Sequence, residues 1–484
     1  MVNVTPVLIV GAGPVGLTAA AMLNHYGIPV RIIDKKPLPT QTSNAVVIHS
    51  RTLELMGMLG LTNQFVAAGR LTKSMEMYSN LSHLASIHFD LIESQYKYLC
   101  CVPQNITEKI LIEHLTQQGI SVERSIELLS INTEMDQTVT VVTDKGTIEA
   151  NWVVACDGYH SKARESLNIP YEGSDMKLNF MMIDAPVTWD LSLESMYGCF
   201  NDQLSLALFP MKNSVRMIAE ISHAPQYINT EPNEAVFMKI AEGCVPGSIK
   251  IDKPLWSSKF WIHERLAAQY LQGHVLLAGD AAHAHSPTGG QGMNTGLQDA
   301  INLAWKLALV VQGEANEKLL LSYQEERRPV AQQVLSVSSF MSEAALTKNR
   351  IASTLRTVLM PLISKLNVVQ KKAVGFLSET SINYEKSSIV SGHSYQNTHP
   401  GDRSAYTDPA PGLKHTVLDF KGDAEKIFSG NKWVQVINAP TLNLAGKLGQ
   451  LDNVYCILRP DFYIGYLGDN LNEVQNYFQK IKMG

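Results

Sequence analysis

Four apolar residues open the patterned part of the chain at positions 7–10, followed by an Ala- and Leu-rich stretch that ends near Gly27 and a second short apolar run at 30–33. Strand, helix, strand is the reading, a parallel β–α–β unit with Gly27 as the helix stop and Asp34 closing the second strand. Between the first strand and the helix lies Gly11-x-Gly13-x-x-Gly16. Gly11 permits a tight turn, Gly13 lets backbone approach a pyrophosphate, and Gly16 lets helix and strand pack closely. An anion is favoured at the helix N-terminus, and Asp34 stands where such a fingerprint needs an acceptor for ribose hydroxyls. Its free carboxylate argues for an unphosphorylated ribose, so FAD or NAD at this position.

Residues 51–60 read as a helix that Ser50 can cap, with Arg51 in its first turn, where the macrodipole disfavours a cation. An anionic partner such as a phosphate would explain Arg51, and so would a solvated surface position. Another helix begins at 103–108, with Ile110, Leu111 and Leu115 at helical spacing. Residues 139–143 and 147–149 flank Asp144-Lys145-Gly146 as a hairpin, and 152–155 is a buried strand opening into the stretch 156–164, CDGYHSKAR. From about 176 to 265 the pattern changes to short alternating strands (180–183, 204–209, 215–221), an antiparallel sheet able to wall a pocket at a domain interface. A buried strand returns at 274–278, then GDAAH at 279–283, the Gly-rich 287–294 and a long helix with Leu297, Ile301, Ala304 and Leu307 on one face. Residues 340–377 read as amphipathic helix broken at Pro361. Its basic residues, Lys348, Arg350, Arg356, Lys365, Lys371 and Lys372, leave peripheral membrane contact open beside the plainer reading of a packed connector with a solvated face. The last unit, 399–484, is small and α/β, with a strand at 456–457 and a helix at 471–481.

With 484 residues, 45% hydrophobic and 18% charged, the chain should hold two or three domains around a sizeable core. A net charge of −5 offers no footprint for nucleic acid. Six cysteines (100, 101, 156, 199, 244, 456) show neither CxxC nor metal-ligand spacing, as expected of reduced thiols in a cytoplasmic protein, and no metal is expected. The fingerprint starts within ten residues of Met1, leaving no room for a signal peptide, and no run of about 18 apolar residues suggests a membrane span.

Three motifs in one order, GAGPVG, CDGYHSKAR and LAGDAAHAHSPTGGQGMNTGLQDAINLAWKLA, closely resemble the class A flavoprotein aromatic hydroxylases, the family of p-hydroxybenzoate hydroxylase and phenol hydroxylase. The resemblance spans about residues 5–330. The tail, with GDR at 401–403 and Leu458-Arg459-Pro460-Asp461, looks like the thioredoxin-like C-terminal domain of the phenol and polyketide hydroxylase branch, without its CxxC. It implies an α/β fold: a discontinuous Rossmann-like FAD-binding domain (1–175 and 266–335), an inserted antiparallel substrate domain (176–265), a helical connector (336–398) and the C-terminal domain (399–484).

By the same resemblance Gly11, Gly13, Pro14, Gly16, Asp34 and Lys35 hold the ADP half of FAD, and Arg51 and Gln104 reach its phosphates and ribose. Asp157 and Gly158 serve FAD and the reduced nicotinamide, Gly279 and Asp280 the ribityl chain, and Pro287, Gly290, Gly292, Met293 and Asn294 the flavin's pyrimidine edge. A helix N-terminus there favours negative charge on reduced flavin. Pro287, Thr288 and Phe209 line the substrate pocket. His49 is a candidate base for the substrate hydroxyl, against an ordinary structural histidine. A single dinucleotide fingerprint fits NADPH or NADH binding transiently. The implied reaction uses NAD(P)H and O2 to hydroxylate a phenolic or polycyclic aromatic through C4a-hydroperoxyflavin. Epoxidation, Baeyer–Villiger insertion or antibiotic degradation on the same scaffold, and a non-catalytic redox sensor, are the rival readings. A homodimer is compatible with the resemblance.

Overall fold

In a computed structural model of the chain, residues 4–483 are described apart from 42, 44, 136–137, 202, 286–289, 347–365, 408–411 and 442–446. The first sheet runs in the order Leu271–Gln272, Val275–Leu277, Gly146–Ala155, Thr5–Val10, Val30–Asp34, Val122–Arg124. Neighbours along this order are parallel except the edge pair Leu271–Gln272 and Val275–Leu277, and two further strands, Leu128–Met135 and Thr138–Thr143, extend the sheet from Gly146–Ala155 through antiparallel pairings. Strands buried on both faces read as unbroken apolar runs, and Val7, Leu8, Ile9, Val153, Val154 and Leu276 are fully buried. Helix Pro14–His25 packs against both Gln291–Val311 and Gln104–Gln117. It is apolar nearly all round because it is covered nearly all round.

Register matters for function. Val10 pairs with Ile33 and Ala155, Ala155 with Leu277, and Asp34 with Arg124. The loops after Val10, Asp34, Ala155 and Leu277 therefore leave from one edge of the sheet, its carboxyl end, where open α/β sheets bind ligands.

The second sheet is antiparallel except for one pair, with eight strands: His283–Ala284, Trp256–Ala267, Tyr171–Ala185, Val215–Glu220, Ser205–Pro210, Ser195–Phe200, Ser74–Ser79 and Ser82–His88. It is wider than the 176–265 stretch that the sequence marks out. The hairpin 74–88 joins it through a parallel pairing with Ser195–Phe200, and His283–Ala284 hooks it to the loop after the first sheet's strand Val275–Leu277. One face, with Met181, Ile183, Leu206, Leu208 and Met217, is buried with Phe237 and Ile240 of helix Glu234–Glu242. Met182 and Ile218, one residue out of phase, point the other way, toward the first sheet's loops.

A third sheet closes the chain in the order Ser391–Gly392, Ile464–Gly468, Tyr455–Leu458, His415–Asp419, Val434–Asn438. Its two central pairings are antiparallel and its outer ones parallel. In chain order, helices Leu321–Leu346 and Asn367–Leu377 come before this unit. The expected break at Pro361, and Lys348, Arg350, Arg356 and Lys365, lie outside the described residues. Among the described residues no helix is long and apolar enough to cross a membrane. Helix Ser50–Met56 begins one residue earlier than expected: His49 holds the cap position, and Ser50, instead of capping, donates its hydroxyl to the Tyr98 carbonyl at 3.0 Å.

Candidate active site

Gly11 takes φ +100°, and a Cβ there would stand 2.3 Å from the Cys156 carbonyl oxygen. A Cβ on Gly16 would stand 1.9 Å from the Gly11 carbonyl oxygen. Loop, helix and neighbouring strand are thus in backbone contact, which only glycine permits at both positions. Helix Pro14–His25 has Gly13 at its N-cap and Pro14 at its first position, with no side chain capping it. Its unpaired N–H groups open instead on a cavity of about 600 Å³. Asp34 accepts the Ala12 N–H at 2.6 Å and the Lys36 N–H at 2.7 Å, tying the glycine loop to the end of the second strand. Carboxylate lone pairs remain for a ligand hydroxyl.

The cavity gathers Gly11, Gly13, Pro14, Asp34, Lys35 and Gln104 at this end. It also gathers residues that sequence reasoning missed. Arg124, beside Asp34 in register, lines the cavity and has a buried Nη2 with no hydrogen-bond partner. Glu108 takes the Gln104 amide at 2.9 Å, and burial pushes its carboxyl above the ordinary range. Neither carries a local signal: both stand out only once strand and helix meet.

At the other end Asp157, Gly158, Asp280, Gly290, Gly292 and Met293 line the same cavity. Asp157 accepts the Ala163 N–H at 3.1 Å through one oxygen, while the other is buried without a partner. Its pKa is raised, by burial above all, against the pull of the bonds it accepts. Asp280 is exposed where it lines the cavity, though closely surrounded by protein. Burial raises its pKa; nearby His283 opposes and Asp299 adds to the rise. Helix Gln291–Val311 also lacks a side-chain cap, with Gly290 left-handed at its N-cap. A second helix N-terminus therefore faces the cavity.

Four expected ligand residues and the candidate base stand elsewhere or behind the lining. Arg51 is fully buried and does not reach the cavity: its Nη1 donates to Glu54 at 2.9 Å and its Nη2 to the Asp461 carbonyl at 2.6 Å. The anion beside it in the first helical turn is the Glu54 carboxylate, and its Nε is buried without a hydrogen-bond partner. Asn294 is saturated by protein. Its Oδ1 accepts the His49 N–H at 2.9 Å and the Thr52 hydroxyl at 2.8 Å, and its Nδ2 donates to the Val47 and Gly290 carbonyls at 2.8 and 2.9 Å. Gly16 and Gly279 sit one layer back, where they allow close packing against Gly11 and Val15. His49 is fully buried with its Nδ1 3.6 Å from a Glu379 carboxylate oxygen and lies behind Gly290, outside the lining. Pro287 and Thr288 lie outside the described residues.

The opposite wall of the cavity is the free face of the second sheet, with Val46, Met182, Phe209, Ile218 and Phe260. Trp261, 65% exposed, stands at the mouth, where Tyr159 stacks on His263 at 5.0 Å between ring centres. A polar trough with two anion-seeking helix ends thus meets an apolar wall across one space. A diphosphate suits the first helix end, hydroxyls suit Asp34, Asp157 and Asp280, and a ring that gains negative charge on reduction suits the second.

Comparison with known proteins agrees with this geometry. The FAD binding domain family matches residues 4–338. Pentachlorophenol 4-monooxygenase of Sphingobium chlorophenolicum is 34% identical over 347 residues, covering 70% of this chain and 64% of that enzyme. 6-methylpretetramide 4-monooxygenase of Streptomyces rimosus is 32% identical over 510 aligned positions, covering 96% and 90%. CabE, an aromatic hydroxylase from angucycline biosynthesis, superposes with a TM-score of 0.80 at 26% identity, with both chains covered in full. The chain belongs to the FAD-binding family of flavoprotein aromatic hydroxylases and is a flavin-dependent monooxygenase.

Proposed function

We propose that this chain hydroxylates a phenolic or polycyclic aromatic compound, using NAD(P)H and O2. The observation that carries the reading is the single cavity onto which two uncapped helix N-termini and the apolar face of the second sheet all open. The uncapped N-terminus of Pro14–His25 takes the diphosphate of FAD, with Arg124 supplying positive charge beside Asp34. Asp34 accepts from the adenosine ribose, and Asp157 and Asp280 accept from hydroxyls further along. Gly290 and Gly292 present the second helix end to the pyrimidine edge, where negative charge builds on reduction. Bound FAD, reduced by NAD(P)H, supplies the activation of O2 and the transfer of one oxygen atom. Met182, Phe209, Ile218 and Phe260 hold an aromatic ring against that site and exclude water from it. The C-terminal sheet is read as a thioredoxin-like unit without thiol chemistry, since Cys456 is buried.

The test is oxidation of NADPH and NADH by the yellow protein in air, with and without a panel of phenols and polycyclic phenols, with peroxide assayed alongside. Strong stimulation by one of them, with little peroxide, is the expected result. Bound flavin with no stimulation by any member of the panel would reject the phenolic reading.

A further inference from the structure

Two tail segments, Gly401-Asp402-Arg403 and Leu458-Arg459-Pro460-Asp461, take no part in the cavity, yet Arg459 and Asp461 are buried and the side chain of Arg403 is nearly so. Arg403 donates to both oxygens of Glu54, at 2.8 and 3.0 Å, and Glu54 also holds Arg51 at 2.9 Å. Asp461 accepts Arg51 on its carbonyl at 2.6 Å, and Tyr463 lies 4.9 Å beneath the same guanidinium. The Asp461 carboxylate meanwhile accepts Asn302 and Trp305 of the long helix, each at 3.2 Å, and Arg459 at 2.6 Å. The tail therefore grips helix Ser50–Met56 and helix Gln291–Val311 at once.

Buried ion pairs are a weak adhesive, because desolvation offsets most of their attraction and an apolar contact of equal size would hold as well. What they impose is position, since each bond fails within a fraction of an ångström. Here the position is passed on. Thr52, next to Arg51, donates to Asn294 at 2.8 Å, and Asn294 in turn holds the Gly290 carbonyl at 2.9 Å. Gly290, Gly292 and Met293 line the cavity. Every hydrogen-bonding site on the Asn294 amide is engaged by helix Ser50–Met56, its approach strand or the turn itself, so helix and turn move together or not at all.

We propose that Arg403 and Asp461 are positioning residues for the cofactor: they fix helix Ser50–Met56, which through Thr52 and Asn294 fixes the turn at Gly290 against which the flavin rests. The inference rests on the FAD site of the proposed function.

The test measures, on the holoprotein and its variants, FAD affinity by fluorescence titration, the reduction potential of the bound flavin, and the melting temperature. R403Q and T52V are each expected to weaken FAD binding about tenfold and to shift the potential in the same direction. Because both cut one line, the double variant R403Q/T52V should be no weaker than the weaker of the two singles. T52S, which keeps the hydroxyl, should match the wild type. T52V leaves the buried ions intact, so a T52V protein with unchanged FAD affinity and potential overturns the inference even where R403Q fails to fold. Variants that melt earlier but keep FAD affinity within twofold and an unchanged potential would overturn the inference, as would a double variant whose losses multiply. A wild-type chain that takes up no FAD would overturn the proposed function, and this inference with it.

Discussion

A side chain added at Gly13 meets no atom within 4 Å, because it would project into the cavity. Gly13→Val should therefore leave the fold intact and abolish flavin retention, read as an unchanged far-ultraviolet circular dichroism spectrum on a colourless protein. The two arginines divide differently. Arg124→Gln removes a cation from the cavity and should weaken FAD binding about tenfold, with a melting temperature close to wild type. Arg51→Met leaves the Asp461 carbonyl and part of Glu54 unpaired in the interior and should cost about 3 kcal/mol in a denaturant titration. The glycine fingerprint and Asp34 were legible because their chemistry lies in spacing along one β–α–β unit. Arg51 misled for the same reason: a cation in a first helical turn announces an anion, but not which one. Arg124 was silent because its meaning comes from lying beside Asp34 across two strands, 90 residues apart in the chain by their numbers.

The long helix Gln291–Val311 shows what an element needs beyond its own sequence. Its apolar face was plain from Leu297, Ile301, Ala304 and Leu307, all buried. Its anchoring was not. Asp299, fully buried, is bonded to His283 at 2.5 Å and to Arg327 at 2.7 Å, and it accepts the Gly279 N–H at 3.2 Å. Burial raises its pKa, but His283 and Arg327 outweigh that and hold the carboxyl below the ordinary range. Asp299→Asn should destabilise the protein by about 3 kcal/mol, measured by equilibrium unfolding, since Arg327 is left a buried, poorly matched charge. The hairpin 74–88 escaped notice altogether. Its strands mix Ser, Glu, His and Met with few β-branched residues, and their pairing partner lies at Ser195–Phe200, where local pattern gives no warning.

Across the whole molecule, acid should loosen the join between the tail and the long helix. His415 is buried against Trp305, Tyr477 and Phe478, and burial, aided by Arg459, lowers its pKa from 6.5 to about 3. Between those values the unfolded chain binds the proton and the folded one does not. Stability from this residue is thus complete above pH 6.5 and lost as pH falls, by up to about 1.4 kcal/mol per unit. His415→Phe should flatten the fall in unfolding free energy between pH 6.5 and 5, where carboxylates in the ordinary range have yet to titrate. The join between the tail and the long helix could not be read from the sequence, because it is made by residues more than a hundred positions apart.

Arg51 and Asp461 are separated by 410 positions. A ribosome adds about 5–20 residues each second, so roughly 20 to 80 s pass between the synthesis of the buried guanidinium and that of its carbonyl partner. During that interval the amino-terminal strands can form, but helix Ser50–Met56 has no final seat. Seating of that helix therefore waits on synthesis of the tail. Stalled nascent chains ending before residue 459 should stay sensitive to protease near residue 50 with FAD present, and chains extended past residue 463 should gain protection.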